Sequence, residues 1–215
     1  MKCYRVHEYG NTAKFIEDKV EKPIAKQGHV VVKVKASSLN PIDHKLLKSN
    51  LGINPTLPGI LHMDVAGIVT EVGEGVTAFK KGDEVYGCAG GLQGEAGNID
   101  GALADFMLVD SNLIALKPKS LSFPESAALP LVTITAWEGL FDRAHIKKED
   151  HILIHGGAGG VGHIAIQLAR QHGARISTTV SSEDKAKIAK KLGADNIIFY
   201  RDETVENYTQ QLTKG

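Results

Sequence analysis

HILIHGGAGGVG, residues 151–162, decides the fold: a short apolar run breaks into glycines, and HIAIQLARQHGA at 163–174 follows with helical spacing. Gly157, Gly159 and Gly162 fit the pattern GxGxxG. The first glycine of that pattern permits a tight turn out of a strand, the second lets backbone approach a pyrophosphate, and the third lets helix and strand pack closely. Peptide N–H groups and the positive end of the helix dipole then face the phosphates. The segment, which includes Gly160 and Val161, is therefore expected to cradle a dinucleotide. The helix is predicted from Ile164, Ala165, Leu168, Ala169 and His172, which share one helical face, with Gly173 as a stop.

Working outward, a second strand is predicted over 175–180, then the charged helix EDKAKIAKKL ended by Gly193, then a third strand, NIIFY, at 196–200. Strand, helix, strand, helix, strand is one mononucleotide-binding half of a doubly wound parallel sheet, so the class is α/β. Another kind of parallel α/β unit is the alternative, and the glycine run after the first strand argues against it.

The end of the second strand bears on the choice of cofactor. An NAD site usually places Asp or Glu there to bind the ribose 2′-hydroxyl. This chain has Thr179, Val180, Ser181 and Ser182. Ser181 can donate to a 2′-phosphate, and Lys185, one helical turn on, can supply positive charge. NADP(H) is favoured on that ground. Lys185 is equally read as one of several solvated lysines, with Lys187, Lys190 and Lys191.

The 215 residues suit one or two domains. With 25 basic and 25 acidic residues, the chain has no electrostatic footprint for nucleic acid or an anionic membrane. Cys3 and Cys88 are the only cysteines and imply no disulfide framework. MKCYRVHEYG at 1–10 lacks an apolar signal region and no run reaches transmembrane length, so a cytoplasmic location is expected.

Residues 1–120 read as a different, mostly β domain. HVVVKVKASS at 29–38 puts Val30, Val32 and Val34 on one strand face, and DVAGIVTEVG at 64–73 reads as a largely buried strand. AKFIED, DEVYG and DFMLV are further short strand signals. The glycine-rich segment 88–101 is either a substrate-facing loop or a long hairpin connection. KPKSLSFPESAAL at 117–129 marks the boundary, with Ser122 and Glu125 at capping-box spacing, so residues 121–215 form the dinucleotide-binding region.

The order of these pieces resembles the medium-chain dehydrogenase/reductase superfamily, in which a GroES-like catalytic domain precedes a Rossmann domain. SSLNPIDHKL, DVAGIVTEVGEGVTAFKKGDEVYG, LPLVTITAW and IHGGAGGVG carry the resemblance. Asn40, Pro41 and Asp43 resemble the zinc-independent branch of quinone oxidoreductases and zeta-crystallin. The resemblance implies that Asn40 lies near nicotinamide and acceptor, that Asp43 helps hold that loop, and that Thr135 contacts the cofactor. Asp43 is equally explained by turn chemistry after NPI. By the same resemblance Lys185 and Tyr200 approach the 2′-phosphate, although Tyr200 also suits packing on a sheet edge. Zinc enzymes of the superfamily place Cys, His and Cys where this chain has Asn40, Met63 and Leu131, side chains that cannot make a three-ligand N/S site. His44 and His62 lack a third soft ligand, so no metal is expected. The tyrosines that some quinone reductases carry after the Asp are absent, and Lys45 stands in that stretch.

Superfamily members continue past three Rossmann strands, so the chain, ending in YTQQLTKG, is expected to be part of a longer protein. Its glycine-bearing strand would then be left as an apolar edge, with poor solubility and weakened NADPH binding. The expected activity is zinc-independent hydride transfer from NADPH to a quinone or α,β-unsaturated carbonyl, a small-molecule electron acceptor. The alternatives are an alcohol dehydrogenase-like or enoyl reductase acting on another carbonyl substrate, and a non-catalytic NADPH-binding protein. The resemblance further implies a homo-oligomer.

Overall fold

Alternating valines found the first sheet. β3 (His29–Ser37) turns Val30, Val32 and Val34 toward one core, against Val65 and Val69 of β4 (Asp64–Val72) and Val85 of β5 (Glu84–Cys88). Burying each such side chain contributes about 1.5–3 kcal/mol. Met107 and Val109 of β8 (Phe106–Asp110) complete that face, and β9 (Ile114–Leu116) pairs with β5. The strands form an antiparallel five-stranded sheet in the order β8-β3-β4-β5-β9.

The computed structural model describes residues 1–94 and 97–213, which fall into two compact units, Met1–Leu131 and Val132–Gly215. In the first, β1 (Lys2–Arg5) and β2 (Ile16–Lys19) make a separate antiparallel pair, and α1 (Pro41–Lys48) follows β3. The glycine-rich segment contains β6 (Leu92–Gly94) and β7 (Gly97–Ile99), an antiparallel pair, as the hairpin reading requires; Glu95 and Ala96 lie outside the described residues. The capping box forms at the head of α2 (Phe123–Ala127), where Ser122 N–H donates to Glu125 at 2.8 Å. That helix packs on β3 and β4, so it belongs with the β unit and the compact units divide after it, at Leu131.

In the second unit α3 (Pro130–Trp137) runs into a π-helical segment (Glu138–Arg143) ahead of β10 (His151–Ile154). Then α4 (Gly160–His172), β11 (Arg175–Val180), α5 (Glu183–Leu192), β12 (Asn196–Phe199) and α6 (Val205–Thr213) alternate. The three strands are parallel in the order β10-β11-β12. Gly173 (φ 93°) and Gly193 (φ 111°) end α4 and α5 in the left-handed conformation, as stop glycines do. The buried face of α4 includes Ile166, fully enclosed, with Ala165 and Ala169. Among the described residues β10 pairs only with β11 and is an edge, with Leu153 40% exposed. No helix among those residues is long and apolar enough to cross a membrane.

Candidate functional site

In the first unit the site begins with the NPID turn. Asn40 is the N-cap of α1, Pro41 stands at N1, where its missing N–H is no loss, and Asp43 Oδ2 accepts the Asn40 N–H at 2.7 Å. Occupied in this way, Asp43 anchors the backbone of Asn40. The Asn40 side-chain amide is directed elsewhere: Nδ2 donates to Asp64 Oδ2 at 2.8 Å and to Ser38 Oγ at 3.1 Å. Ser38 also donates to Asp64 Oδ2 at 2.6 Å, and the Leu131 N–H donates to Asp64 Oδ1 at 3.0 Å.

Asp64 is fully buried, and its charge is disfavoured by that burial, which pushes its pKa up against the opposing hydrogen bonds of Ser38, Asn40 and Leu131. Burial also raises Asp43, whose Oδ1 has no hydrogen-bond partner. The Cys88 thiol, hydrogen-bonded to Asp64, is pushed up to about 12 by burial and the neighbouring carboxylates, so it is no nucleophile at neutral pH.

His62 completes the group. A register shift in β3 between Val34 and Ala36 turns the strand end toward it, and Ser37 Oγ lies 3.0 Å from His62 Nδ1. His62 has φ 73°, a strained value for this residue type. Its backbone is clamped by glycines: a Cβ on Gly91 would come within 3.0 Å of His62 backbone atoms, and one on Gly101 within 2.6 Å of its carbonyl oxygen. This gives the glycine-rich segment 88–101 a reason beyond its hairpin. Burial holds the His62 pKa below the usual imidazole value, against the opposing pull of Asp43 and Asp64.

This donor set does not fit zinc. Asn40 offers an amide already bound to a carboxylate, Met63 packs in an apolar cluster with Leu46 and Leu61, and Leu131 contributes a backbone N–H. Among the described residues no group of three or more His, Cys, Asp or Glu could hold a metal ion.

The second unit carries the glycine loop, and the three glycines differ in what a side chain would meet. A Cβ on Gly157 would lie 2.1 Å from Thr178 Oγ1, and one on Gly162 would lie 2.2 Å from the Gly156 carbonyl oxygen. A Cβ on Gly159 meets only that same oxygen, at 3.1 Å, and one on Gly160 meets only Val132, at 3.6 Å. Gly157 and Gly162 are therefore packing glycines, while Gly159 and Gly160 leave an open backbone surface. The left-handed turn falls at Gly156 (φ 69°) and not at Gly157 as the spacing suggested, because Gly157 is the one pressed against β11. Gly156 N–H donates to Thr179 Oγ1 at 2.9 Å, tying the turn to that strand. The first-turn amides of Gly160, Val161 and Gly162 have no carbonyl one turn back to bond. A pyrophosphate fits this cradle.

Ser181 follows β11 and Tyr200 follows β12, and the register pairs Val180 with Phe199, so both residues stand at the carboxyl edge of the sheet, where such folds bind ligands. Lys185 is exposed in the first turn of α5. Glu183 and Asp184 share that turn, and Asp184 pairs with Lys187 at 3.1 Å. Arg201, whose guanidinium lies 5.9 Å from the Tyr200 ring centre, adds a cation that the sequence pattern did not single out. Thr135 is an exposed residue of α3.

Residues 26–119 match the alcohol dehydrogenase GroES-like domain family and residues 160–215 match the zinc-binding dehydrogenase family. The chain is 41% identical over 213 residues to the 2-methylene-furan-3-one reductase of Solanum lycopersicum, covering 96% of this chain and 54% of the relative. It is 31% identical over 215 residues to the Homo sapiens quinone oxidoreductase, covering 100% of this chain and 62% of the relative. It thus spans little more than half the length of the relatives it matches. The crystal structure of Escherichia coli quinone oxidoreductase complexed with NADPH superposes with a TM-score of 0.84 at 31% identity, covering 100% of this chain and 63% of that one. An NAD-dependent alcohol dehydrogenase superposes with a TM-score of 0.88 at 31% identity, covering 100% and 68%. With a GroES-like β unit, a parallel half-sheet behind a glycine loop and these relatives, the chain belongs to the medium-chain dehydrogenase/reductase superfamily, in its quinone oxidoreductase branch.

Proposed function

We propose that the protein is an NADPH-dependent, zinc-independent reductase of α,β-unsaturated carbonyls or quinones. The observation that carries this reading is the state of Asn40, Met63 and Leu131, which by resemblance stand where zinc enzymes of the superfamily place Cys, His and Cys: an amide tied to Asp64, a thioether packed in an apolar cluster and a backbone N–H. Without a metal electrophile, dehydrogenation of a simple alcohol loses its main activation, whereas an enone or quinone is already activated. The greater identity to the tomato reductase favours enones of the two classes.

When bound, NADPH supplies a hydride. The amides of Gly160, Val161 and Gly162 would hold the pyrophosphate, with Gly157 and Gly159 shaping the loop that lets it approach, and Ser181, Lys185, Tyr200 and Arg201 would hold the 2′-phosphate. Asn40 is held through Nδ2 by Asp64 and Ser38, which fixes the orientation of its amide beside the bound molecule. Thr135 contacts the cofactor by family resemblance.

The test is NADPH oxidation across a panel of enones and quinones, before and after dialysis against a strong chelator. Turnover with at least one acceptor class, unchanged by the chelator, is expected. No turnover with any of them, or a chelator-sensitive rate restored by zinc, overturns the reading.

A further inference from the structure

Reduction of an enone needs a proton as well as a hydride, and the residues around Asn40 narrow its source. Asn40 carries an amide, which hydrogen-bonds but does not release a proton near neutral pH. Asp43 and Asp64 are 1% and 0% exposed, and Asp64 already accepts from Ser38, Asn40, Leu131 and Cys88. Cys88 holds its proton too tightly. His44 and Lys45 are exposed on α1.

His62 differs from all of these. It is half-buried, its Nδ1 is held by Ser37 at 3.0 Å, and that contact leaves Nε2 as the ring nitrogen available to a bound molecule. The Phe15 ring stands edge-on to the imidazole, with centroids 6.1 Å apart. The strained backbone is kept in place by Gly91 and Gly101 and by the Ala102 N–H, which donates to the His62 carbonyl at 2.9 Å. A strained residue that its neighbours over-determine is the pattern of a functional position. Beside it, Asp43 Oδ1 is a buried acceptor without a partner.

We propose that His62 is the acid that protonates the reduced acceptor, with Ser37 and Asp43 positioning it. This rests on the enone reductase reading above. Once the hydride has formed the new C–H bond at the β-carbon, the π electron pair shifts to leave an enolate. The α-carbon of that enolate takes the proton from Nε2 of the imidazolium as that N–H bond breaks, leaving the neutral ring with its proton on Nδ1, and solvent water then returns a proton to Nε2. The charged groups facing the imidazole are Asp43 from α1 and Asp64 from β4, and both favour its protonated form; Ser37 and Phe15 are uncharged.

The experiment uses His62→Asn, because Asn tolerates the left-handed backbone and its amide can keep the Ser37 contact, yet it cannot titrate. With an α-methyl enone in D2O, the unsubstituted protein should give α-deuterated product of one configuration. The variant should lose that preference, turn over about a hundredfold more slowly, and lose the fall in kcat on the alkaline side of the pH profile. Its NADPH dissociation constant should stay within about twofold. In the cofactor-free protein, Asp43→Asn should move the His62 ring titration, followed by NMR, to lower pH. Should His62→Asn not unfold cooperatively, Ser37→Ala decides, with an expected fall in kcat of about tenfold and a shifted pH profile. Retained kcat and one-sided deuteration in the variants overturn the proposal alone. Absence of turnover in the unsubstituted protein overturns the reductase reading, and the proposal with it.

Discussion

The cluster around Asn40 is closed and charged, with Asp43 and Asp64 both almost fully buried, whereas the loop at 156–162 carries no charged side chain and works by leaving backbone bare. The first region is held by side chains that bond one another, Asp43 Oδ1 excepted, and the second is made of side chains that are missing. Removing atoms should therefore damage the first, and adding atoms should damage the second.

The largest expected effect is Asp64→Ala. It strands the donors of Ser38, Asn40 and Leu131, which are half-buried or buried. A loss of about 3–5 kcal/mol of stability is expected, at about 1–3 kcal/mol for each donor left without its acceptor, offset in part by removal of a buried carboxylate. Urea unfolding checks it, and a loss below about 1 kcal/mol would mean that the cluster is not the closed network described.

In the loop, Gly162→Ala and Gly159→Ala should separate packing from binding. At Gly162 the added methyl meets a carbonyl oxygen at 2.2 Å, backbone that cannot rotate aside, so overpacking should cost about 1–3 kcal/mol and lower the melting temperature. At Gly159 the same atom comes only to 3.1 Å of that oxygen, so stability should hold while NADPH affinity falls about tenfold, because the methyl stands where the pyrophosphate approaches the backbone. Equal losses of melting temperature in the two variants would erase the distinction between the glycines.

Lys185→Ala should weaken NADPH by about tenfold, the loss of one charge-assisted contact, and leave NADH nearly unchanged. Arg201→Ala should do the same if the two cations share the 2′-phosphate. Glu183 and Asp184, in the same helical turn as Lys185, oppose that preference, so comparable losses for NADPH and NADH would return Lys185 to the solvated face of α5.

The contrast also explains what the sequence made legible. Gly157, Gly159 and Gly162 lie within six consecutive residues, so their spacing shows the loop, the parallel half-sheet and the helix behind it. Asn40 and Asp43 are likewise local, joined by a turn. His62, Asp64 and Gly91 are brought to that turn by strand pairing and a bulge across more than twenty residues, which no local pattern encodes. One signal was available: Asp64 is a lone carboxylate opening the otherwise apolar run DVAGIV. The position of the left-handed turn, at Gly156 and not Gly157, was equally hidden, since adjacent glycines are alike in sequence and only the approach of Thr178 tells them apart.

The smallest effect is a slope with pH. Burial holds the folded-state pKa of Asp43 above its ordinary 3.8, so the native chain keeps a proton that the unfolded chain has already lost. Stability rises with pH only where the unfolded state binds more protons, and here the native state does. The contribution of Asp43 should therefore decline as pH rises from about 4 and level off once its folded pKa is passed. Asn at this position keeps an acceptor for the Asn40 N–H and does not titrate. The stability of the unsubstituted protein minus that of Asp43→Asn, measured by urea unfolding from pH 4 to pH 7, should accordingly fall across that range. A difference that grows with pH would mean that Asp43 is stabilised as the carboxylate, and the unpartnered Oδ1 would then need a partner that this arrangement does not give it.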